Sequence, residues 1–431
     1  MTMRDGGRIA AAIEILDDFE TRRVPLKVCI ADWSRGARYA GAKDRAFISG
    51  LALDVLRRKG SLLAAGGNLR GAVALALHHM WGWPKERIIE AYAEEPHGPG
   101  ALSEARKAVL EEPPFSPETN FRDVPDFTRE LLERVTPDLS AEIAAASQRA
   151  PIDLRVNTLK SDTDRALKAL SPEKAVLSAR SFTGLRIPAP SAESRGPAID
   201  IHPAYQKGWV EVQDEGSQLA ALAAGSVEGA QVLDYCAGGG GKTLALAALM
   251  KNYGQIHAYD IEARRLAPIF DRARRAGVRN LQVISPFEGE EKLTALKGKM
   301  DVVFVDAPCS GSGTWRRKPD TKWRLSRPQL EKRMEEQDQV LTAAAEYVKP
   351  GGQLIYVTCS LFVEENEDRI AAFWQQNQQF MVSSARDAMI ETGLVNGLET
   401  LPKSGIEGTL RLSPATTGTD GFAITRLTRT K

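Results

Sequence analysis

Along its first 145 residues the chain repeats apolar positions with the helical period of about 3.6 residues. Ile9, Ile13 and Leu16 share one face, and so do Phe47, Leu51, Val55 and Leu56. A further helix is predicted from Leu69 to Met80, ended by Trp81-Gly82-Trp83-Pro84. Glu111-Glu112-Pro113-Pro114-Phe115-Ser116-Pro117 breaks the pattern and reads as a loop, and Thr136-Pro137 is placed to cap and open a last helix. From Pro151 the pattern shortens. Leu154 to Asn157 and Phe182 to Ile187 read as strands around a helix from Thr163 to Leu170. After Trp209, short apolar β-branched runs alternate with helical lengths: Gln231-Val232-Leu233, Gln255 to Tyr259, Val302 to Val305 and Leu354 to Val357. Such runs are buried parallel strands. Gly421 to Arg426 is the clearest strand of the tail. The expected class is α/β: a doubly wound Rossmann-like domain over 209–431, a small α+β subdomain over 146–208 and an all-helical domain over 1–145.

Composition narrows this little. With 57 Lys and Arg against 56 Asp and Glu, the net charge is +1, so nucleic-acid binding must come from local patches. No apolar run approaches the roughly 20 residues of a membrane span, and Met1-Thr2-Met3-Arg4-Asp5 lacks a signal-peptide pattern. Cys29, Cys236, Cys309 and Cys359 are too scattered for a disulfide framework, and without a CxxC pair a zinc site is not expected. The expectation is a reduced, cytoplasmic monomer with no metal and no membrane.

Chemistry concentrates at strand ends. Asp234-Tyr235-Cys236-Ala237-Gly238-Gly239-Gly240-Gly241-Lys242-Thr243 follows one strand. Gly241-Lys242-Thr243 invites a P-loop reading, but Cys236 stands where that motif needs its first glycine. A nucleotide triphosphatase therefore remains a minority reading, and Gly238, Gly240 and Thr243 fit a dinucleotide fingerprint poorly. S-adenosylmethionine fits better. It carries no pyrophosphate, and needs a glycine backbone beside its amino-acid part and an acid for its ribose. Asp260, ending the next strand, supplies that acid.

Asp306-Ala307-Pro308-Cys309-Ser310 and Thr358-Cys359-Ser360 each follow a strand, at the end where open α/β sheets place ligands. Two thiols there suit methylation of a pyrimidine. A thiolate adding to carbon 6 makes carbon 5 nucleophilic toward a methyl sulfonium, and a base must later remove the carbon 5 proton. Asp306 is placed to hold the ring edge. The thiol of Cys236 reads better as a core group, and Cys29 as structural.

On these motifs the catalytic half resembles the Sun (Fmu) family of RNA cytosine-5 methyltransferases. The likeness extends to Arg316 to Trp323, Tyr356 to Ser360 followed by Glu364-Glu365-Asn366-Glu367, Leu154 to Lys160 and Val212 to Gln218. It implies a methyltransferase domain in which Cys359 is the nucleophile, Cys309 assists product release, and Asp306 contacts base and cofactor. It further implies that Cys236, Ala237, Gly238, Gly239, Gly240, Gly241, Lys242 and Asp260 bind S-adenosylmethionine. The implied partner is RNA, foremost ribosomal RNA. The helical part resembles the NusB-like RNA-binding domain of some members. Two departures stand out. Gly238-Gly239 replaces the usual Ala-Pro, which predicts a more flexible loop. No Asp follows the third strand of the domain, leaving Glu288 as a substitute near the adenine.

Trp315-Arg316-Arg317-Lys318-Pro319-Asp320-Thr321-Lys322-Trp323-Arg324 interleaves aromatics with cations and predicts an RNA-contacting surface. Arg264, Arg265, Arg272, Arg274 and Arg275 read instead as a solvated helix face. The expected activity is S-adenosylmethionine-dependent methylation of RNA cytosine at carbon 5. A non-catalytic RNA-binding factor and a 5-methyluridine-forming enzyme are the alternatives.

Overall fold

The computed structural model describes residues 3–116, 120–136, 138–194, 196–287, 289–398 and 408–430. Its contacts divide into two units. One holds residues 1–150, 189–196 and 314–326, and the other holds 151–188, 197–313 and 327–431.

The first unit is helical. Ile9, Leu16, Leu51, Val55 and Leu56 are all buried in one core, on the helices Asp5–Arg22 and Ala42–Arg57. The helix Leu69–Leu75 runs into a wider turn, in which the Trp81 amide bonds the Ala76 carbonyl at 3.1 Å, before Pro84 ends the run. The final helix, Leu139–Ala146, is capped by the Asp138 carboxylate on the Ala141 amide, and not by Thr136. Among the described residues no single helix is long and apolar enough to cross a membrane.

The segment 314–326 belongs to this helical unit and corrects the RNA-surface expectation. Trp315, Arg316 and Lys322 are buried. The Lys322 ammonium donates to the Arg57 carbonyl at 3.1 Å, and the Trp323 indole to Leu56 at 2.6 Å. The Arg57 guanidinium in turn donates to the Arg316 carbonyl at 3.0 Å. These side chains terminate backbone carbonyls of the helix Ala42–Arg57; of Arg316, Lys318 and Lys322, which the stretch offers as phosphate contacts, only Lys318 is exposed.

The second unit carries two sheets. In the smaller, the strands β1 (Ile152–Val156), β2 (Val176–Leu177), β3 (Gly184–Ile187) and β4 (Val210–Val212) are antiparallel in the order β2-β3-β1-β4. The larger contains β5 (Gln231–Asp234), β6 (Gln255–Tyr259), β7 (Leu281–Ile284), β8 (Met300–Asp306), β9 (Val348–Thr358), β10 (Phe380–Ser383), β11 (Leu410–Leu412) and β12 (Phe422–Arg429). Their order is β10-β12-β9-β8-β5-β6-β7, with β11 beside β12. The five strands from β9 to β7 in that order are parallel, and β12 runs antiparallel to β9. Apolar clusters cover both faces, which is why β8 and β9 read as unbroken hydrophobic runs. The chain leaves β5 toward β6 on one side and returns to β8 on the other. That reversal makes the carboxyl ends of β5 and β8 the place where such sheets bind ligands.

Four of the five arginines expected on a solvated helix face make ion pairs, Arg265 with Asp260, Arg274 with the exposed Asp271, and two with one buried acid. Arg272 and Arg275, on the helix Ile269–Ala276, both pair with the buried Glu211 of β4.

Candidate active site

Four strand ends deliver the site. β5 leads into the glycine loop, β6 ends before Asp260, β8 ends at Asp306, and β9 ends just before Cys359. Because β8 and β9 are parallel neighbours, with Asp306 opposite Val357, the loops after them lie side by side. The Cys309 and Cys359 sulfurs are 3.4 Å apart. The hydrogen bond to Cys359, together with burial, pushes the Cys309 thiol well above its usual pKa. This favours the protonated form of Cys309.

Asp306 takes a 2.6 Å ion pair from Lys242. Burial opposes the Lys242 charge, but Asp306 more than offsets it and holds the ammonium above the ordinary lysine value. Its head lies 5.3 Å from the centre of the Phe422 ring. This cation is committed inside the protein to a carboxylate, which is not the arrangement of a P-loop lysine reaching phosphates. Asp234 accepts the Thr243 hydroxyl at 2.6 Å, and complete burial raises its pKa to about 7. Burial and the surrounding Asp234, Asp260 and Asp306 push the Cys236 thiol well above its usual range, which keeps it protonated and unreactive.

Asp260 is 2% exposed. Its carboxylate accepts the Gly238 amide at 3.0 Å and the Glu262 amide at 2.9 Å, and Arg265 lies 3.3 Å away. The glycine loop is thus pinned rather than loose. The Gly239 carbonyl also takes a 2.5 Å bond from Arg272, and the Ala237 amide bonds Tyr259 at 2.9 Å. Gly240 has φ +81°, and a Cβ there would come within 2.4 Å of Ile269. Glycine at that position serves helix packing as much as any ligand.

A cleft of about 680 Å³ opens among these strand ends, within the range of small-molecule sites. Cys236, Asp260, Asp306, Cys309 and Cys359 line it, with Tyr235, Tyr259 and Ile261; Ala237 to Lys242 do not. Its lining carries four carboxylates, Asp260, Glu262, Asp306 and Glu336, against two guanidiniums, Arg265 and Arg333. An acidic wall disfavours phosphates and suits a ligand with a positive sulfonium. Glu288, expected near the adenine, lies outside the described residues. Among those described, no group of three or more His, Cys, Asp or Glu is arranged to hold a metal ion.

Residues that the motifs did not single out by role complete the site. Glu365 is fully buried and accepts the Ser310 amide at 2.7 Å, the Ser310 hydroxyl at 2.5 Å, the Ser360 hydroxyl and the Gln337 amide at 3.0 Å. Burial pushes its pKa up, and these bonds oppose that push. The only signal was its place in the run Glu364 to Glu367.

A doubly wound sheet with this strand order, an acid after its second parallel strand and ligand-facing strand ends defines a Rossmann-like methyltransferase. Residues 221–428 match the model of the 16S rRNA methyltransferase RsmB/F family. Ribosomal RNA small subunit methyltransferase B of Sodalis glossinidius is 34% identical over 263 residues, 60% of this chain and 58% of that protein. The chain thus matches less than two thirds of that relative's length. Among solved structures, PH0851 shares the fold over 99% of both chains, with a TM-score of 0.73 and 23% identity. NSun6 from Pyrococcus horikoshii, solved with SFG, covers 71% of this chain and 98% of its own, with a TM-score of 0.61 and 20% identity.

Proposed function

We propose that this protein methylates carbon 5 of cytosine in RNA, with ribosomal RNA as the substrate class, through a covalent adduct on Cys359. The observation that carries the reading is the thiol pair 3.4 Å apart at the ends of β8 and β9. The cofactor is S-adenosylmethionine, which supplies an electrophilic methyl when bound. The acidic cleft and the pinned Asp260 fit it.

The residues then divide the work. Asp306, held by Lys242, meets the edge of the cytosine ring. The Cys359 thiolate adds to carbon 6, and the electron pair displaced toward carbon 5 makes that carbon the nucleophile. Bonding to carbon 6 removes the Cys359 charge, so Cys309 can lose its proton to water. The Cys309 thiolate next takes the proton from methylated carbon 5. The carbon 5–carbon 6 double bond re-forms, the carbon–sulfur bond breaks, and the electron pair returns to Cys359.

The test is methylation of unmodified ribosomal RNA, with digestion and mapping of the product. Cys359→Ala is expected to abolish both methylation and adduct. Cys309→Ala is expected to accumulate a protein–RNA adduct that survives denaturing electrophoresis and requires the cofactor. An adduct in Cys359→Ala and none in Cys309→Ala would reverse the roles. A 5-methyluridine product would replace the substrate base, and cofactor binding without methyl incorporation would favour an RNA-binding factor.

A further inference from the structure

The two thiols act on neighbouring ring carbons, so their sulfurs must stay within a few ångströms of each other in every turnover. The loops that carry them touch directly further along, where the Gly313 amide donates to the Cys359 carbonyl at 3.0 Å and the Leu361 amide to Ser312 Oγ at 2.8 Å. The Cys309 loop leaves β8 and the Cys359 loop leaves β9, and both are irregular for several residues. Glu365, beyond both, is bonded to each. Its Oε1 accepts the Ser310 amide and the Gln337 side chain, and its Oε2 accepts the hydroxyls of Ser310 and Ser360. Ser310 follows one thiol and Ser360 follows the other. The same Gln337 amide nitrogen also donates to the Pro308 carbonyl at 2.8 Å, so the Cys309 loop is gripped on both sides of the sulfur.

The proton positions are mutually consistent, which makes the network a single device. Ser310 and Ser360 both donate to Oε2. Ser360 Oγ in turn accepts the Phe362 amide at 3.1 Å and the Ser312 hydroxyl at 3.0 Å. Ser312 Oγ accepts the Leu361 amide at 2.8 Å. The carrier is itself fixed. The Tyr356 hydroxyl donates to the Glu365 carbonyl at 2.8 Å, and the next residue, Asn366, donates to the Ser360 and Phe362 carbonyls at 3.0 and 2.7 Å.

We propose that Glu365 is the positioning residue that sets the spacing between the nucleophilic and the releasing thiol, through Ser310 on one side and Ser360 on the other. This inference rests on the thiol roles proposed above. It makes an asymmetric prediction that a general stabilising role does not. Removing the Ser310 hydroxyl leaves its amide on Oε1 but loosens the releasing thiol while the nucleophile stays held, so attack and methylation proceed and release slows. Cutting the Ser360 tie loosens the nucleophile, so adduct formation itself slows.

The experiment compares Ser310→Ala, Ser360→Ala and Glu365→Gln with Cys309→Ala and Cys359→Ala in the full chain, using unmodified ribosomal RNA and S-adenosylmethionine. Turnover, KM for the cofactor, thermal melting and adduct yield are measured together. Ser310→Ala is expected to lower kcat by about tenfold or more, the loss of one hydrogen bond to a charged group. Its KM should hold, and its cofactor-dependent adduct should approach that of Cys309→Ala. Ser360→Ala should lose turnover with less adduct than wild type. Glu365→Gln, which turns one acceptor into a donor against two hydroxyls, should lose turnover by at least as much as either serine variant. A Ser310→Ala enzyme that melts like wild type and either turns over within twofold of it or slows without accumulating adduct overturns the proposal. The cysteine variants report separately: if Cys309→Ala forms no adduct, it is the assignment of the thiols that fails.

Discussion

The cofactor assignment is most exposed at Asp260, and the structure sets the size of the effect. A carboxylate offers about four lone-pair sites. In Asp260 two are taken by the Gly238 and Glu262 amides, and Arg265 approaches one oxygen at 3.3 Å. In the proposed assignment the group therefore has two jobs: it shapes the glycine loop, and it keeps acceptor capacity for the ribose hydroxyls. Asp260→Ala removes both. The lost ribose bond is worth about 1.5–3 kcal/mol, and the Gly238 amide, left without its charged acceptor, costs a similar amount in loop order. Together these give about 3–6 kcal/mol, or two to four orders of magnitude in affinity. Calorimetric titration with S-adenosylmethionine measures it directly. Asp260→Asn, which keeps one acceptor, should fall between the two. Arg265→Ala keeps both backbone bonds and should bind within about tenfold of wild type, less than one such hydrogen bond is worth. An Asp260→Ala protein that melts normally and binds as wild type would refute both jobs at once.

Two further outcomes follow from buried charges. The Lys242–Asp306 pair, with side chains 9% and 34% exposed, should show a double-mutant coupling of about 1–3 kcal/mol in urea unfolding for Lys242→Met with Asp306→Asn, below the value for a fully buried pair because Asp306 reaches solvent; additive losses would mean the contact carries no energy. Burial pulls the Lys322 pKa from 10.5 down to about 7, so between those values the unfolded chain binds a proton that the folded chain lacks. This residue should therefore add stability as pH rises through the window, by on the order of 4 kcal/mol, and melting curves of wild type and Lys322→Met that stay parallel from pH 7 to 10 would contradict it.

The parts of this site that were legible share a physical origin. A β-branched run buried on both faces must be a parallel strand, and its carboxyl end must face the ligand side. Val302 to Val305 and Leu354 to Val357 therefore located both thiols before any geometry was known. The same logic placed Asp260 after β6. What stayed hidden were bonds between distant segments. The basic aromatic stretch looked like a phosphate surface because Arg and Lys donate equally well to phosphates and to carbonyls. Only the fold shows that Lys322 and Trp323 spend their donors on Arg57 and Leu56. Arg272 looked solvated because nothing in its own helix reveals Glu211 or Gly239 as acceptors. Glu365 is the sharpest case. Its four donors come from the loop after β8, the loop after β9 and the helix Arg327–Ala345. No local pattern around the acid predicts them. A motif can name the atoms that react, because their chemistry is restricted to few residue types. The groups that fix the distance between those atoms are ordinary serines, amides and a carboxylate, and their role exists only once three separate segments meet.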